Sequence, residues 1–337
     1  MKKILLLLFL FSSVSCFSKG NSNEKTEEKK MKSDIIIEGE DKIEIYKDRM
    51  KKFIEEIKNN SAGKKLIITQ NGNELYFRNN KLDEKFLKVT DGTTQESLYY
   101  GDVLKFDVKT NKEDTRYMTG LLEQIRKTGK PVFVINYGKG TDKKEFLRSE
   151  DRKTGFLSEL LPSFEATAIY TPINPFNKED IISLNQAKNF LLLLNPEKFR
   201  DTDQYFEYLK NTDFDLLIIE PSHNGVFFTE NQVRQLKVKK NGGKRLIISY
   251  FSIGEAEDYR AYWKEEWNRK WPSWIVEENP DWKGNYVVKY WNNEWRNIMK
   301  EYQKKLDSIG VDGYLLDTVD SYYYFQEKME KGKKIAD

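Results

Sequence analysis

Carboxylates are the residues of this chain best suited to do chemistry, because histidine and cysteine are nearly absent. The 337 residues contain one His and one Cys, which excludes an internal disulfide and a zinc site built from His and Cys ligands. His223 lies in EPSHNGVFF without the nucleophile elbow that an α/β-hydrolase triad requires, and we interpret it as a loop histidine. The sequence therefore predicts acid–base chemistry by Asp and Glu, with neither a metal ion nor a cofactor.

These carboxylates recur where apolar runs end. Asp317 ends the run GYLLD, Asp320 follows it, and Glu96 lies near the end of TDGTTQES. Polar residues follow the other runs as well, namely Gln70, Asn71, Asn136, Tyr137, Tyr170, Asn195, Glu220, Glu255 and Glu257. Helix caps would explain about half of such a set. Two carboxylates in different environments can protonate a leaving oxygen and attack, or activate water at, an anomeric carbon. Binding of Mg²⁺ or Ca²⁺ is the rival use of such acids, but the chain has no EF-hand pattern.

Eight apolar runs alternate with amphipathic segments, which predicts a parallel α/β fold. The predicted strands are Lys65–Gly72, Phe86–Ser97, Lys130–Gly138, Ala166–Thr171, Phe190–Asn195, Asp215–Pro221, Arg245–Ser252 and Asp312–Asp317. We predict one (β/α)8 TIM barrel, with an open doubly wound sheet as the alternative. A barrel would gather the polar strand ends at one mouth, where barrels carry their chemistry.

The N-terminal segment indicates export. MKKILLLLFLFSSVSC has two lysines, a short apolar run and a cysteine at position 16, and it resembles a bacterial lipoprotein signal, although Ser13 departs from that pattern. We predict a signal over residues 1–16 with lipid-modified Cys16, a plainly cleaved signal being the alternative. The polar composition of residues 17–34 predicts a disordered tether. The expected location is the cell envelope or the extracellular side, with membrane anchoring through the lipid.

Charge and aromatic patterns add two expectations. The net charge is only +3 and no basic stripe is present, so we expect no nucleic-acid partner. Separately, we expect a monomer. All seven Trp lie between Trp263 and Trp295. The near-helical spacing of Trp263, Trp267, Trp271 and Trp274 predicts one buried helix face, whereas Trp282, Trp291 and Trp295 could form an aromatic platform for a sugar ring.

Three consecutive segments, YFSIGEAEDYRAYW, NPDWKGNYVVKYWNNEW and GVDGYLLDTVDSY, resemble the endo-α-1,4-polygalactosaminidase-like barrels of glycoside-hydrolase family 114. Upstream, AKNFLLLLNPEKF and FDLLIIEPS resemble the first two strands of that barrel. The resemblance implies a TIM barrel that cleaves an α-1,4-linked, galactosamine-rich polysaccharide inside the chain. A carbohydrate-binding surface lipoprotein that keeps the barrel without catalysis is the alternative.

The order of these segments differs from the family. There the strand ending in Asp is the fourth of eight, whereas here KKLIITQNGNELYF, TDGTTQESLYYG, GKPVFVINYG and KTGFLSELLPSFEATAIY resemble the later segments but precede it. We therefore predict a circularly permuted barrel over residues 35–337, with 44–172 as the second half and 185–330 as the first. A fragment of a tandem array that pairs with another chain is the rival account.

The family's paired carboxylates correspond to Asp317 and Glu96 in this sequence, with Asp317 as nucleophile or base and Glu96 as general acid. Glu257 and Arg260 match a Glu and an Arg of the family at its third strand and are expected to contact the sugar. The remaining predicted substrate-binding residues are Glu255, Asp320, Tyr250, Gln70, Asn71, Tyr137 and Trp291. Glu220 stands where the family commonly has Asp, so that position receives little weight.

Overall fold

A computed structural model describes residues 27–331, with side chains described from residue 44 onward except at residue 103. The predicted signal and Cys16 lie outside the described residues, as does the predicted tether up to residue 26. Helix α1 (Glu27–Asn60) begins within the range predicted as tether. Within residues 27–331, no helix is long and apolar enough to cross a membrane.

Eight parallel strands form the central sheet. In chain order they are β1 (Leu66–Gln70), β2 (Gly92–Glu96), β3 (Val132–Tyr137), β4 (Leu157–Leu161), β5 (Phe190–Leu193), β6 (Leu216–Ile219), β7 (Leu246–Ser252) and β8 (Gly313–Asp317). The ladder runs β5-β6-β7-β8-β1-β2-β3-β4, so all consecutive strands except β4 and β5 are hydrogen-bonded to each other, and β8 pairs with β1. This order confirms the nearly closed barrel and excludes the doubly wound alternative, whose strand order reverses at a switch point.

Helices follow the strands and cover the barrel. Beyond α1 they are α2 (Glu84–Val89), α3 (Lys112–Lys127), α4 (Thr141–Thr154), α5 (Thr202–Lys210), α6 (Glu230–Leu236), α7 (Asn293–Ser308) and α8 (Tyr322–Glu330). Polar caps set several starts, as where the Asn292 side chain accepts the backbone N–H groups of Glu294 and Trp295. The strands FLLL and LLII are buried along their whole length, as expected for parallel strands covered on both faces.

Helix α1 docks against helices from the far end of the chain. The Tyr46 ring stacks on Phe325 of α8 with centroids 5.4 Å apart, and Gln303 of α7 donates to the carbonyl of Ile57 at 2.8 Å. Met50, Phe53 and Ile54 are buried along the same helix, as its apolar spacing predicts. The first described helix therefore covers the barrel where β8 meets β1.

The fourth strand lies elsewhere than predicted. It is Leu157–Leu161, whereas Ala166–Thr171 is not a strand. The buried Glu159 in LSELL interrupts the apolar run, and one oxygen of its carboxylate accepts the N–H of Ile173 at 2.9 Å. The prediction over Phe86–Ser97 is also partly wrong, because Phe86–Val89 belongs to α2 and only Gly92–Glu96 is β2.

The segment mistaken for a strand fills the seam between β4 and β5. The carbonyl of Ala166 accepts the N–H groups of Leu194 and Asn195, at 3.0 and 3.3 Å. The Tyr170 hydroxyl donates to the carbonyl of Phe190 at 2.9 Å and accepts the N–H of Leu192 at 3.1 Å. These bonds satisfy backbone groups of β5 that would otherwise pair with a neighbouring strand. Tyr170 is therefore a seam residue.

The tryptophan predictions also need correction. The segment from Trp263 to Trp274 holds a 3₁₀ turn, Glu265–Asn268, and no α-helix. Its rings nevertheless cluster, with Trp267 5.1 Å from Trp274. Trp295 is fully buried and donates to the carbonyl of Ile253 at 2.8 Å, which excludes it from an aromatic platform.

A buried ion pair holds the segment that joins the two halves of the barrel. Lys239 lies 2.5 Å from Asp215, and both side chains are 0% exposed. The Asp215 carboxylate also accepts the Asn177 amide at 2.8 Å and the backbone N–H of Lys188 at 2.8 Å. Lys239 donates to the carbonyl of Glu179 at 2.8 Å. The pair thereby fixes the junction beneath β6.

Replacing Lys239 by Met would leave Asp215 buried without its counter-ion. We expect Lys239→Met to lower the free energy of unfolding by about 3 kcal/mol, as measured by urea denaturation. The adjacent Lys240 is exposed, so Lys240→Met is the matched control and should change stability by less than about 0.5 kcal/mol. Equal effects of the two substitutions would contradict the assigned role of the pair.

Candidate active site

Strands β2 and β8 bring Glu96 and Asp317 to the same end of the barrel. Both strands are hydrogen-bonded neighbours of β1, and each residue is the last of its strand. Glu96 is 1% exposed and Asp317 is 2% exposed. Burial raises the pKa of Glu96, and the negative charge of Asp317 raises it further. The structure thus brings the predicted pair together across one intervening strand.

Glu96 is held by two side chains, one at the end of β3 and one directly after β1. Tyr137 donates its hydroxyl to Oε1, and Asn71 donates its amide to Oε2 at 3.1 Å. The Asn71 amide oxygen also accepts the Glu96 backbone N–H at 2.9 Å. Burial and the charge of Asp317 raise the pKa of Glu96 to about 8, against the opposing hydrogen bonds from Tyr137 and Asn71. Glu96 is therefore mostly protonated at neutral pH.

Asp317 also accepts two hydrogen bonds. Tyr250 donates its hydroxyl to Oδ2 at 2.7 Å, and the backbone N–H of Thr318 donates to Oδ1 at 2.7 Å. Thr318 adopts a left-handed conformation, with φ of 59°, which turns this N–H back onto the carboxylate. Burial raises the pKa of Asp317 to about 6, and the bonds from Tyr250 and Thr318 limit the rise. Asp317 is therefore largely ionised at neutral pH.

Two more carboxyl groups share this mouth. Glu255 and Asp320 are buried, and the Asn279 amide donates to Glu255 Oε1 at 2.9 Å. Burial raises the pKa of Glu255 to about 8, and burial with the charges of Asp317, Glu255 and Glu96 raises that of Asp320 well above its usual range. Glu255 is positioned by a small antiparallel sheet, in which Glu255–Glu257 pairs with Asn285–Val288.

Arg260 is engaged by carboxylates on both sides. Its Nε donates to Glu257 Oε2 at 2.5 Å, and its Nη1 bonds to Glu220 and, at 3.1 Å, to the Tyr302 hydroxyl. Tyr259 donates to the other Glu257 oxygen at 2.7 Å. The charge of Glu257 contributes to the raised pKa of Asp317. Glu220, given little weight in the sequence, is thus part of the charged network beside the pair.

The remaining predicted residues fall into different groups. Gln70 is buried at the end of β1, and its side-chain oxygen accepts the Thr94 hydroxyl. Trp291 packs against Tyr46 and Phe325, with ring centroids 5.4 and 4.7 Å away, and none of its ring contacts involves the carboxyl cluster. His223 is buried in a two-residue hairpin strand next to a turn, with Nε2 2.8 Å from the carbonyl of Phe199, so its interpretation as a loop residue is wrong.

Two residues of the site escaped sequence analysis. Asn279 holds Glu255, and the Thr318 backbone holds Asp317. Asn279 directly follows the strand Ile275–Glu278, so the strand-end pattern used for the barrel would have found it. Thr318 contributes a backbone group in an unusual conformation, which no side-chain pattern signals. Within residues 27–331, no cluster of His, Cys, Asp and Glu is arranged to hold a metal ion.

A parallel barrel with two buried, unlike carboxyl groups at its mouth has the arrangement that acid–base chemistry uses. Residues 195–336, less than half of the chain, match the model of glycoside-hydrolase family GH114, so this part of the chain is similar to that family. The matched range includes Asp317 but ends short of Glu96 and of strands β1 to β4. The circular permutation therefore stays a prediction.

Curated relatives of this chain are themselves uncharacterized. A protein of Methanocaldococcus jannaschii is 35% identical over 172 residues, 49% of this chain and 49% of the relative. A protein of Thermotoga maritima is 36% identical over 138 residues, 39% of this chain and 42% of the relative. The matches thus span about half or less of each relative's length, and their printed names state no activity.

The buried acids should make stability depend on pH. The folded state raises the pKa of Glu96 from 4.5 to about 8, so the unfolded chain loses this proton first. Stability is therefore lost as pH rises from about 4.5 to about 8. We expect Glu96→Gln to increase the free energy of unfolding by about 1–3 kcal/mol at pH 8 and to leave it nearly unchanged at pH 4.

Urea denaturation at the two pH values measures this difference. Glu207 of α5 is exposed, and Glu207→Gln is the matched control without a pH-dependent gain. A gain at pH 4 as large as that at pH 8 would contradict the raised pKa.

Proposed function

We propose that this protein is an exported glycoside hydrolase that cleaves an α-1,4-linked, galactosamine-rich polysaccharide inside the chain. The family match supports glycoside hydrolysis in general. The observation that supports carboxylate catalysis is the pair Glu96 and Asp317, two neighbouring buried acids with pKa values of about 8 and about 6. A general acid and an ionised partner of this kind are what glycosidic cleavage requires.

In the proposed reaction Glu96 donates its proton to the leaving glycosidic oxygen. Asp317 either attacks the anomeric carbon, forming a glycosyl ester that water then hydrolyses, or takes a proton from the attacking water. In the first case Glu96, now ionised, removes the proton of the incoming water and regains its starting state. Tyr250 and the Thr318 N–H keep Asp317 ionised and oriented throughout. The acidic mouth stabilises an oxocarbenium-like transition state and attracts a cationic polymer.

A carbohydrate-binding protein without turnover is the second candidate. It would use the same mouth and the same charged network, and it differs only in releasing no sugar. The burial of both carboxyl groups supports this candidate, because substrate must reach side chains that are 1% and 2% exposed.

Export and anchoring belong to the same proposal. We propose that the chain is lipid-modified at Cys16 and acts as a monomer at the cell envelope. Cys16→Ser should move the protein from the membrane fraction to the soluble fraction of fractionated cells. Retention in the membrane fraction would contradict an anchor at this residue.

Removing either carboxylate should abolish hydrolysis. We expect Asp317→Asn and Glu96→Gln each to lower kcat on partially deacetylated galactosaminogalactan by about 100-fold or more, measured as new reducing ends. Glu207→Gln, an exposed charge on α5, should keep full activity. If the wild type releases no more sugar than Asp317→Asn, catalysis is refuted. Binding of the polymer by both proteins would then favour the non-catalytic candidate.

The unlike pKa values predict a bell-shaped pH profile. Below about pH 6 the Asp317 carboxylate becomes protonated, and above about pH 8 Glu96 loses the proton it must donate. We therefore expect kcat/KM to be highest near neutral pH, with the two limbs reporting the pair as a coupled unit. A maximum near pH 4, or a rate that still rises at pH 9, would contradict these assignments of acid and base.

A further inference from the structure

A cavity of about 470 Å³ opens over the ends of β5 and β6 and is also lined by residues 258–261. This volume lies within the range of small-ligand sites, about 300–1,000 Å³. Its lining combines apolar and polar side chains, including Asn195, Glu197, Phe227, Tyr259, Arg260 and Tyr302. Arg260 joins the cavity to the catalytic mouth, because it also binds Glu257, whose charge reaches Asp317.

The cavity carries an excess of negative charge. Three carboxylate residues line the cavity, namely Glu197, Glu220 and Asp258. A fourth, Glu257, forms an ion pair with the lining residue Arg260. Arg260 is the only Lys or Arg among the described lining residues, and it is shared between Glu220 and Glu257. An anionic ligand would be repelled here, whereas a cationic one would be attracted.

Glu197 is the lining carboxylate best able to bind a ligand. It follows Pro196 in the short 3₁₀ turn after β5 and is half-buried. Among the described residues, none forms a hydrogen bond or an ion pair with its carboxylate. Half-buried Phe227 and Tyr259 supply apolar and aromatic surface in the same cavity, as sugar rings require.

We propose that this cavity is a second sugar subsite, in which Glu197 binds the ammonium group of an amino-sugar unit next to the bond that is cleaved. This inference rests on the proposed function and adds the residue that selects a free amine over an N-acetyl group. The ring of the unit lies against Phe227 and Tyr259. The positive charge of the polymer is thereby recognised at a position separate from the catalytic carboxyl groups.

Binding to an inactive background tests the subsite without hydrolysis. The protein is the full chain carrying Asp317→Asn, and the probes are α-1,4-linked tetrasaccharides of galactosamine and of N-acetylgalactosamine, titrated calorimetrically at pH 7. We expect Glu197→Gln to weaken binding of the galactosamine probe about fivefold and to reduce the salt dependence of that binding. Binding of the N-acetylated probe should stay unchanged.

Two further variants make the result decisive. Glu207→Gln removes an exposed charge on α5 and should leave both affinities unchanged. Phe227→Ala should weaken both probes, because it removes ring contact without changing charge. If Glu197→Gln binds the galactosamine probe as tightly as its parent, the subsite is wrong while the proposed hydrolase stands. If the parent binds neither probe and the wild type cleaves no polymer, the proposed function itself fails.

Discussion

The pairing of β8 with β1 is the contact on which the rest of the structure depends. It joins the last strand of the chain to the first, in the register Ile67 opposite Tyr314 and Thr69 opposite Leu316. Because β1 also pairs with β2, the ends of β8 and β2 are separated by one strand only. Two residues more than two hundred positions apart, Glu96 and Asp317, thereby become neighbours. Helix α1 covers this contact by packing on α8, through Tyr46 and Phe325.

Burial raises the pKa values of the carboxyl groups in the candidate site and also lowers the stability of the fold. A carboxyl group removed from water holds its proton more tightly, which turns Glu96 into an acid that still carries a proton at neutral pH. Asp317 lies in the same mouth, but its two donors, Tyr250 and the Thr318 N–H, stabilise the charged form. Glu96 also has two donors, Tyr137 and Asn71, so its larger rise in pKa comes from burial and from the negative charge of Asp317. The raised pKa values reduce the stability of the fold at neutral pH.

The apolar runs that end in polar residues predicted seven of the eight barrel strands at least in part. Most of these strands are continuous apolar runs because they are buried on both faces, whereas β2 is GTTQE. The fourth strand was missed because the buried Glu159 lies within it, with one carboxylate oxygen accepting the N–H of Ile173. The Trp263–Trp274 segment was misjudged for a related reason. Its rings cluster through tertiary packing with Trp295, so helical spacing was not needed to bring them together.

Three features followed from the sequence by itself: the parallel α/β class, the acidic residues at the strand ends, and the near absence of His and Cys. Each of them depends on residue type and short-range pattern. Only the tertiary structure decided which acids face one another, and which of them carries a proton. It also decided that Trp291 packs against α1 and α8, and that Arg260 is shared by Glu257 and Glu220. The physical reason is that pKa values and pairings follow from burial and from donors supplied by distant strands, and these exist only once the barrel has formed.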